Sequence, residues 1–307
     1  MQTIPLCPIT GLPARRRIQP ISARLIGKLW QWSFGVATER QLAGIEHFGL
    51  WESPCGLAFF DPMLPGDEAF YLDLYRHGEF HRALNEGPER TEFRLIAQMV
   101  RPGAKVLDVG CGKAALARHL PHAIYIGLEP HRHAATTGAD VRNEPLAQHA
   151  VSHPEEYDLV CAFHAIEHVA DPLGFARDLV RCIRPGGSLC IVVPARTSAI
   201  TEIPNFVLNA PPHHLSWWNE AALRALAERL GLAAVAIEAM PFSFDSIIYW
   251  MGRFSPKLTG HRYFRAHWIW YGALAWSWLA GRVCNALFRT PASANPSGLL
   301  LMARKPL

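Results

Sequence analysis

No uncharged stretch in this 307-residue chain is long enough to cross a bilayer. The best candidate, residues 266–281, falls short of the roughly twenty residues a span needs and is followed at once by Arg282. No apolar core follows the first residues, so no secretory leader is expected. Basic residues are not massed. Arg15, Arg16 and Arg17 form the only basic run, and a net charge of +4 spread over the chain leaves no footprint for a nucleic acid, so none is expected as a partner. The seven cysteines are an odd number scattered through apolar segments, as at Cys111, Cys161, Cys182 and Cys190. That pattern excludes a simple disulfide framework and suits buried thiols in a reducing compartment, so a cytoplasmic location is expected. With half its residues apolar, the chain has ample material for a folded core.

What the chain does have is a glycine turn between a strand and a helix. Residues 105–109 have the apolar, β-branched character of a buried parallel strand, and residues 114–120 are strong helix formers. Between them lie Gly110 and Gly112, where a missing Cβ lets a ligand approach the backbone. Such turns serve dinucleotides and S-adenosylmethionine alike. Asp108 separates the two: its carboxylate would repel a pyrophosphate and attract the ammonium group of a methionine moiety. A nicotinamide-dependent oxidoreductase is further disfavoured because no hydride-transfer residue is evident.

Residues 123–129 read as a second strand ending in Glu129, which is placed to hold a ribose diol. Residues 141–142 are the third strand, 157–163 the fourth and 187–194 the fifth, with Arg184-Pro185-Gly186-Gly187 as the turn before it. A helix over 219–230 with Leu223, Leu226 and Leu230 on one stripe leads to a sixth strand at 233–239, and 299–303 is the seventh. The fold class that follows is α/β: a Rossmann-like, doubly wound, mostly parallel seven-stranded sheet with helices on both faces.

Residues 106–194 resemble the class I S-adenosylmethionine-dependent methyltransferases. Within them Glu-Tyr-Asp-Leu-Val-Cys-Ala-Phe-His-Ala-Ile-Glu-His-Val-Ala-Asp-Pro, from Glu156, is similar to the ubiquinone-biosynthesis O-methyltransferase branch. The resemblance implies S-adenosylmethionine as cofactor and a small-molecule acceptor, with oxygen as the methylated atom. It carries Asp108, Gly110 and Gly112 to the methionine end, Glu129 to the ribose, Asn143 or Glu144 to the adenine, and Phe163 to the sulfonium side. Some of those relatives hold a divalent metal on E-x-x-E-H. Here His164 replaces the first glutamate, which suits a hard cation poorly, so no metal is expected.

Two pieces near the front, Cys7-Pro8-Ile9-Thr10-Gly11 and the run from Glu52 through Cys55 to Pro62, each resemble half of a zinc ribbon. Thr10 and Glu52 stand where two of the four thiolates belong, so a ribbon remnant without metal is expected, held by Leu50, Trp51, Leu57, Phe59 and Phe60. Two unrelated turns are the simpler alternative. The expected organisation is a ribbon-like segment over 1–65, a methyltransferase core over 66–245, a Trp-rich helical insertion over 246–295 and a last core strand over 296–307. The core opens with a connecting or lid helix over 67–84 and a further helix over 89–100. For the insertion, with Trp268, Trp270, Tyr271, Trp276 and Trp278, two destinations fit: burial against protein, including a dimer partner, or a peripheral place on a membrane.

Methyl transfer to a hydroxyl needs alignment, exclusion of water and a base. His164 and His168 flank Glu167 just beyond the fourth strand, and His213 and His214 lie in a proline-rich turn after the fifth. His164, His168 and His214 are the catalytic candidates, with a purely structural Glu167-His168 pair as the competing reading. A non-catalytic cofactor-binding protein, or a scaffold at a membrane surface, is the alternative from a different class.

Overall fold

The computed structural model describes residues 3–77, 91–130, 138–241, 246–259, 262–288 and 296–307. Parts of both expected helices before the core, residues 78–84 and 89–90, lie outside that set. So do residues 289–295 of the insertion.

The larger sheet has seven strands in the order β10-β11-β8-β7-β4-β5-β6. β4 (Lys105–Val109) lies between β5 (Ile124–Leu128) and β7 (Tyr157–Phe163), parallel to both. β6 (Asp140–Arg142) pairs parallel with β5, and β8 (Ile183–Pro194) parallel with β7. β11 (Gly298–Arg304) runs antiparallel between β8 and β10 (Ala233–Met240), so the sheet is mostly parallel, as expected. Val106, Leu107, Val160 and Cys161 are fully buried, because both faces of a parallel sheet are covered.

The covering helices start where the sequence supplies caps. Asp171 accepts the amide of Gly174 at 2.9 Å and Pro172 occupies the first turn of a helix over Pro172–Cys182. Asn219 accepts the amide of Ala222 at 2.9 Å at the head of the helix Glu220–Arg229.

Two local expectations fail. Residues 114–120 do not make an α-helix but a 3₁₀ turn, Ala115–His119. Ala114 takes a left-handed φ of 54°, and the amide of Leu120 returns to the carbonyl of Ala117. Tertiary packing of Leu116 and Leu120 overrides helix propensity in so short a connection. The expected turn at 184–187 is instead the start of β8, whose Ile183 pairs with Tyr157. Gly186, at φ 74°, lies within a register irregularity instead of a chain reversal.

A second sheet, antiparallel throughout, has the order β1-β2-β3-β9. β1 (Arg16–Ser22), β2 (His47–Glu52) and β3 (Ala58–Asp61) belong to the expected N-terminal segment, but β9 (Ser216–Trp217) comes from within the expected core, residues 66–245. The boundary at residue 65 therefore does not separate the sheets. Helix α1 (Ala23–Phe34) covers this layer with Ile26, Leu29 and Trp30 buried.

Cys7 and Cys55, one from each knuckle-like piece, face each other with sulfurs 3.8 Å apart. Of the other two positions, Thr10 joins them by donating its amide to Cys7 Sγ at 3.4 Å, and Glu52 does not. Glu52 takes Arg16 at 2.6 Å and Arg196 at 2.8 Å, and the Thr10 hydroxyl also accepts the amide of Leu12 at 3.3 Å. The five expected packing residues, Leu50, Trp51, Leu57, Phe59 and Phe60, are all buried.

The insertion forms two packed helices, Ser246–Thr259 and Trp268–Leu287. Gly252 of the first sits against the Ala199 backbone, where a Cβ would collide with the Ala199 carbonyl. Trp270, Ala273, Ser277 and Gly281 form the buried stripe of the second. The opposite side is bare: Trp268, Trp276, Trp278, Leu279, Val283 and Leu287 are exposed. Among the described residues no helix is long and apolar enough to cross a membrane.

Candidate active site

The site lies at the carboxyl ends of β4, β5 and β7, where ligands bind in open parallel sheets. Gly110 and Gly112 take φ values of 73° and 53°, which a residue with a side chain rarely adopts. A Cβ on Gly112 would meet nothing within 4 Å, so the loop opens onto free space. The amides of Gly110 and Cys111 go to the Leu128 carbonyl, at 2.8 and 3.1 Å, and that of Gly112 to Glu129 Oε2 at 2.9 Å. The loop amides expected to face a ligand are thus occupied by the protein. The short turn that follows offers no helix dipole in compensation.

The loop carries negative charge instead. Asp108, buried in β4, accepts the Tyr125 hydroxyl at 2.7 Å. Burial and the charges of Asp108 and Glu129 push the Cys111 thiol up to about 12. Burial and Asp108 likewise hold the Tyr125 phenol in its neutral form. Two buried carboxylates around an open glycine loop form a cradle for a cationic ligand carrying hydroxyls. Gly127 was not singled out from the sequence, yet its Cβ would stand 2.6 Å from Cys111 Sγ, so a side chain there would displace the cysteine of the loop.

Three other expected cofactor residues have partners within the protein. The Asn143 amide donates to the carbonyls of Glu129 and Pro130 at 3.3 and 3.0 Å, bracing the end of β5. Glu144 Oε1 lies 2.7 Å from His149 Nδ1, and His149 Nε2 is 2.7 Å from the Tyr157 hydroxyl, a relay reaching the buried start of β7. Phe163 packs edge-on against Phe93 in the core beneath the sheet, with ring centroids 5.4 Å apart.

On the other side of the loop, His164 follows β7 with a left-handed φ of 52°, and a Cβ on Gly110 would come 3.2 Å from that of Ala165. Glu167, wholly buried, has Oε1 at 3.5 Å from His164 Nδ1 and 3.8 Å from His168 Nε2. Burial raises its pKa, but the His164 contact and the charges of His168 and His214 outweigh that and hold it at about 2. His213 and His214 arrive from the turn after β8. Leu215 donates its amide to the Glu167 carbonyl at 2.8 Å and accepts that of Phe60 at 2.9 Å, locking the turn against both sheets. The structure therefore brings His168 and His214 together, ring centroids 4.9 Å apart, with buried His213 between the same two elements.

Helix α2 (Glu68–His77) brings two tyrosines to this edge. Tyr71 lies edge-on to His168 and tilted to His213, with centroids 6.3 and 5.9 Å away. Burial and the charges of Tyr75, Glu167 and Glu129 push its phenol up. Tyr75, stacked on Tyr71, is raised to about 12 by burial and Glu129. The two tyrosines span the glycine loop and the histidines; their four-residue spacing was the one sequence signal available.

The methyltransferase domain family model matches residues 76–237, more than half of the chain, and the chain belongs to that family. The family's cofactor is S-adenosylmethionine, and the cradle of Asp108, Gly112 and Glu129 fits its sulfonium, ammonium and ribose groups. The chain is similar to the ubiquinone biosynthesis O-methyltransferase of Klebsiella pneumoniae, 35% identical over 99 residues that cover 28% of this chain and 41% of that protein. It is also similar to the protein of the same name from Sodalis glossinidius, 32% identical over 148 residues, 44% of this chain and 57% of that one. The chain spans about half the length of the curated relatives it matches. A solved S-adenosylmethionine-dependent methyltransferase from Archaeoglobus fulgidus aligns over 74% of this chain and all of its own, at 15% identity and a TM-score of 0.46.

Proposed function

We propose that this protein transfers the methyl group of S-adenosylmethionine to a hydroxyl oxygen of a small molecule. The observation that carries the reading is the meeting of an anionic glycine cradle and a histidine cluster at one sheet edge, under Tyr71 and Tyr75. When bound, the cofactor supplies an electrophilic methyl carbon on a positively charged sulfur. Asp108 and Glu129 orient it through its ammonium and ribose groups. His164 accepts the proton of the acceptor hydroxyl on Nε2, while Glu167 faces its Nδ1 and stabilises the resulting imidazolium. His168 and His214 form the wall that holds the acceptor, and the two tyrosines keep water out.

Calorimetric titration with S-adenosylmethionine and S-adenosylhomocysteine tests the cofactor half. Micromolar binding that disappears in both Asp108→Ala and Glu129→Ala supports the reading. Intact, folded protein that binds neither compound moves the conclusion to the non-catalytic alternative.

The insertion adds a peripheral membrane role to this reading. Its exposed face is built from tryptophan, leucine and valine, Arg265 and Arg282 lie over Trp270 and Trp278, and no Asp or Glu occurs after Asp245. An amphipathic aromatic face with a cationic surround and no acid suits an anionic lipid surface.

A further inference from the structure

His168, His213 and His214 come from two segments well apart in the chain, yet one ring nitrogen from each lies within 4.8 Å of the others. The ring centroids of His168 and His213 are 4.4 Å apart, and those of His213 and His214 are 4.7 Å apart with planes nearly parallel. Three imidazoles gathered this closely can turn one ring nitrogen each toward a common point. His168 Nδ1 lies 2.8 Å from the His213 carbonyl oxygen, which can only accept. The hydrogen is therefore on Nδ1 and the lone pair on Nε2, the tautomer of a metal-ligating histidine with its outer nitrogen anchored. His214 Nδ1 faces the Asn209 side-chain oxygen at 3.3 Å in the same sense. Beside the rings, both oxygens of Glu167 are buried and accept no hydrogen bond among the described residues. A buried carboxylate so placed is compensated by a cation.

We propose that His168, His213 and His214 bind a divalent first-row transition metal of the zinc class, with Glu167 neutralising its charge and one coordination position open to the cleft. Three nitrogens and a vacant position are the donor set of reactive zinc sites. Nitrogens on a tetrahedral zinc stand about 3.4 Å apart, given bonds of about 2.1 Å, so modest rotations of the rings complete the site. The hard cation carried by E-x-x-E-H relatives does not fit. His164 stands in place of an oxygen donor and lies outside the three-nitrogen group, and magnesium prefers oxygen. The ion supplies a Lewis acid for an acceptor oxygen. Its binding does not depend on methyl transfer, so the two readings fail separately.

The test is to strip the full-length chain with a chelator, reload it with zinc alone, and count the metal retained after desalting. One zinc per chain is expected, with no retention of magnesium. His168→Ala, His213→Ala and His214→Ala each remove a direct ligand and should weaken binding by more than the roughly hundredfold that losing an outer partner costs. Cys7→Ser/Cys55→Ser should leave it unchanged. Cobalt on the wild-type chain needs no variant to fold, and it should give a compact-coordination spectrum without a thiolate charge-transfer band. Failure to retain zinc, retention in a folded triple-histidine variant, loss in the double-cysteine variant, or a thiolate band with cobalt would each overturn the proposal.

Discussion

The carboxylate of Glu129 accepts the amide of Gly112 at 2.9 Å, so the acid at the end of β5 and the glycine loop at the end of β4 are one unit. Glu129→Ala therefore releases the loop, and on the proposed function it also removes a ribose contact. S-adenosylhomocysteine binding is expected to weaken about a hundredfold, and Glu129→Gln, which keeps an acceptor for Gly112, by less. Equal losses in the two variants, measured by calorimetry, would mean that the loop tether is irrelevant.

Gly127 and Gly112 should respond differently to alanine. At Gly127 the new methyl meets Cys111 Sγ at 2.6 Å, whereas at Gly112 it meets only the strain of a φ of 53°. Gly112→Ala should cost about 1 kcal/mol in denaturant unfolding, and Gly127→Ala more, about 2 to 3 kcal/mol. A Gly127→Ala protein as stable as the wild type would contradict this packing.

The clasp between Glu52 and Arg196 should be visible in acid. Burial raises the Glu52 pKa, but the hydrogen bonds and charges of Arg196 and Arg16 prevail and lower it from its ordinary 4.5. With the folded value depressed, the stabilisation is complete above 4.5 and fades as pH falls through the folded value. Glu52→Gln should therefore unfold about 1 kcal/mol more easily at neutral pH, with the gap closing in strong acid. A gap that grew on acidification would refute the assignment.

Flotation with liposomes probes the bare face of the second insertion helix. Vesicles rich in anionic lipid should carry the protein upward, and Trp268→Ser/Trp276→Ser, at two exposed positions, should reduce that several-fold. Sedimentation as a dimer without lipid binding would assign the face to a second copy of the chain.

The Cys7 and Cys55 pair is set for oxidation. The hydrogen bond from Cys55 lowers the pKa of Cys7, while the same contact and burial raise that of Cys55. A mild oxidant should remove two hydrogens from the chain, and Cys55→Ser should abolish that mass change. Unchanged mass in the wild type after oxidation would show that the sulfurs are held apart.

β4 and β7 were legible to the residue because a buried parallel strand is a continuous apolar run bounded by turn signals. The positions of Asp108, Glu129 and the glycines at the strand ends were legible for a related reason: their spacing is fixed by a strand, a turn and the next strand, all local in sequence. The turn at 115–119 was not, since packing decided it against propensity. The contact of Glu144 with His149 was not legible, because His149 is itself oriented by Tyr157 on another strand. The grouping of His168 with His213 and His214 rests on the two backbone hydrogen bonds of Leu215, and such long-range pairing leaves no periodic trace in a sequence.

Leu215 also ties the histidine turn to Phe60, and two residues later the same strand completes the N-terminal sheet. The front of the chain is thus scaffolding for the cleft, and cannot be trimmed away to leave a minimal enzyme. A protein begun at the domain boundary would keep every residue named for cofactor and acceptor, yet lose the strand partner that holds two of its histidines in place. Natural recombination at that seam would be penalised for the same reason, so the two layers should be inherited together.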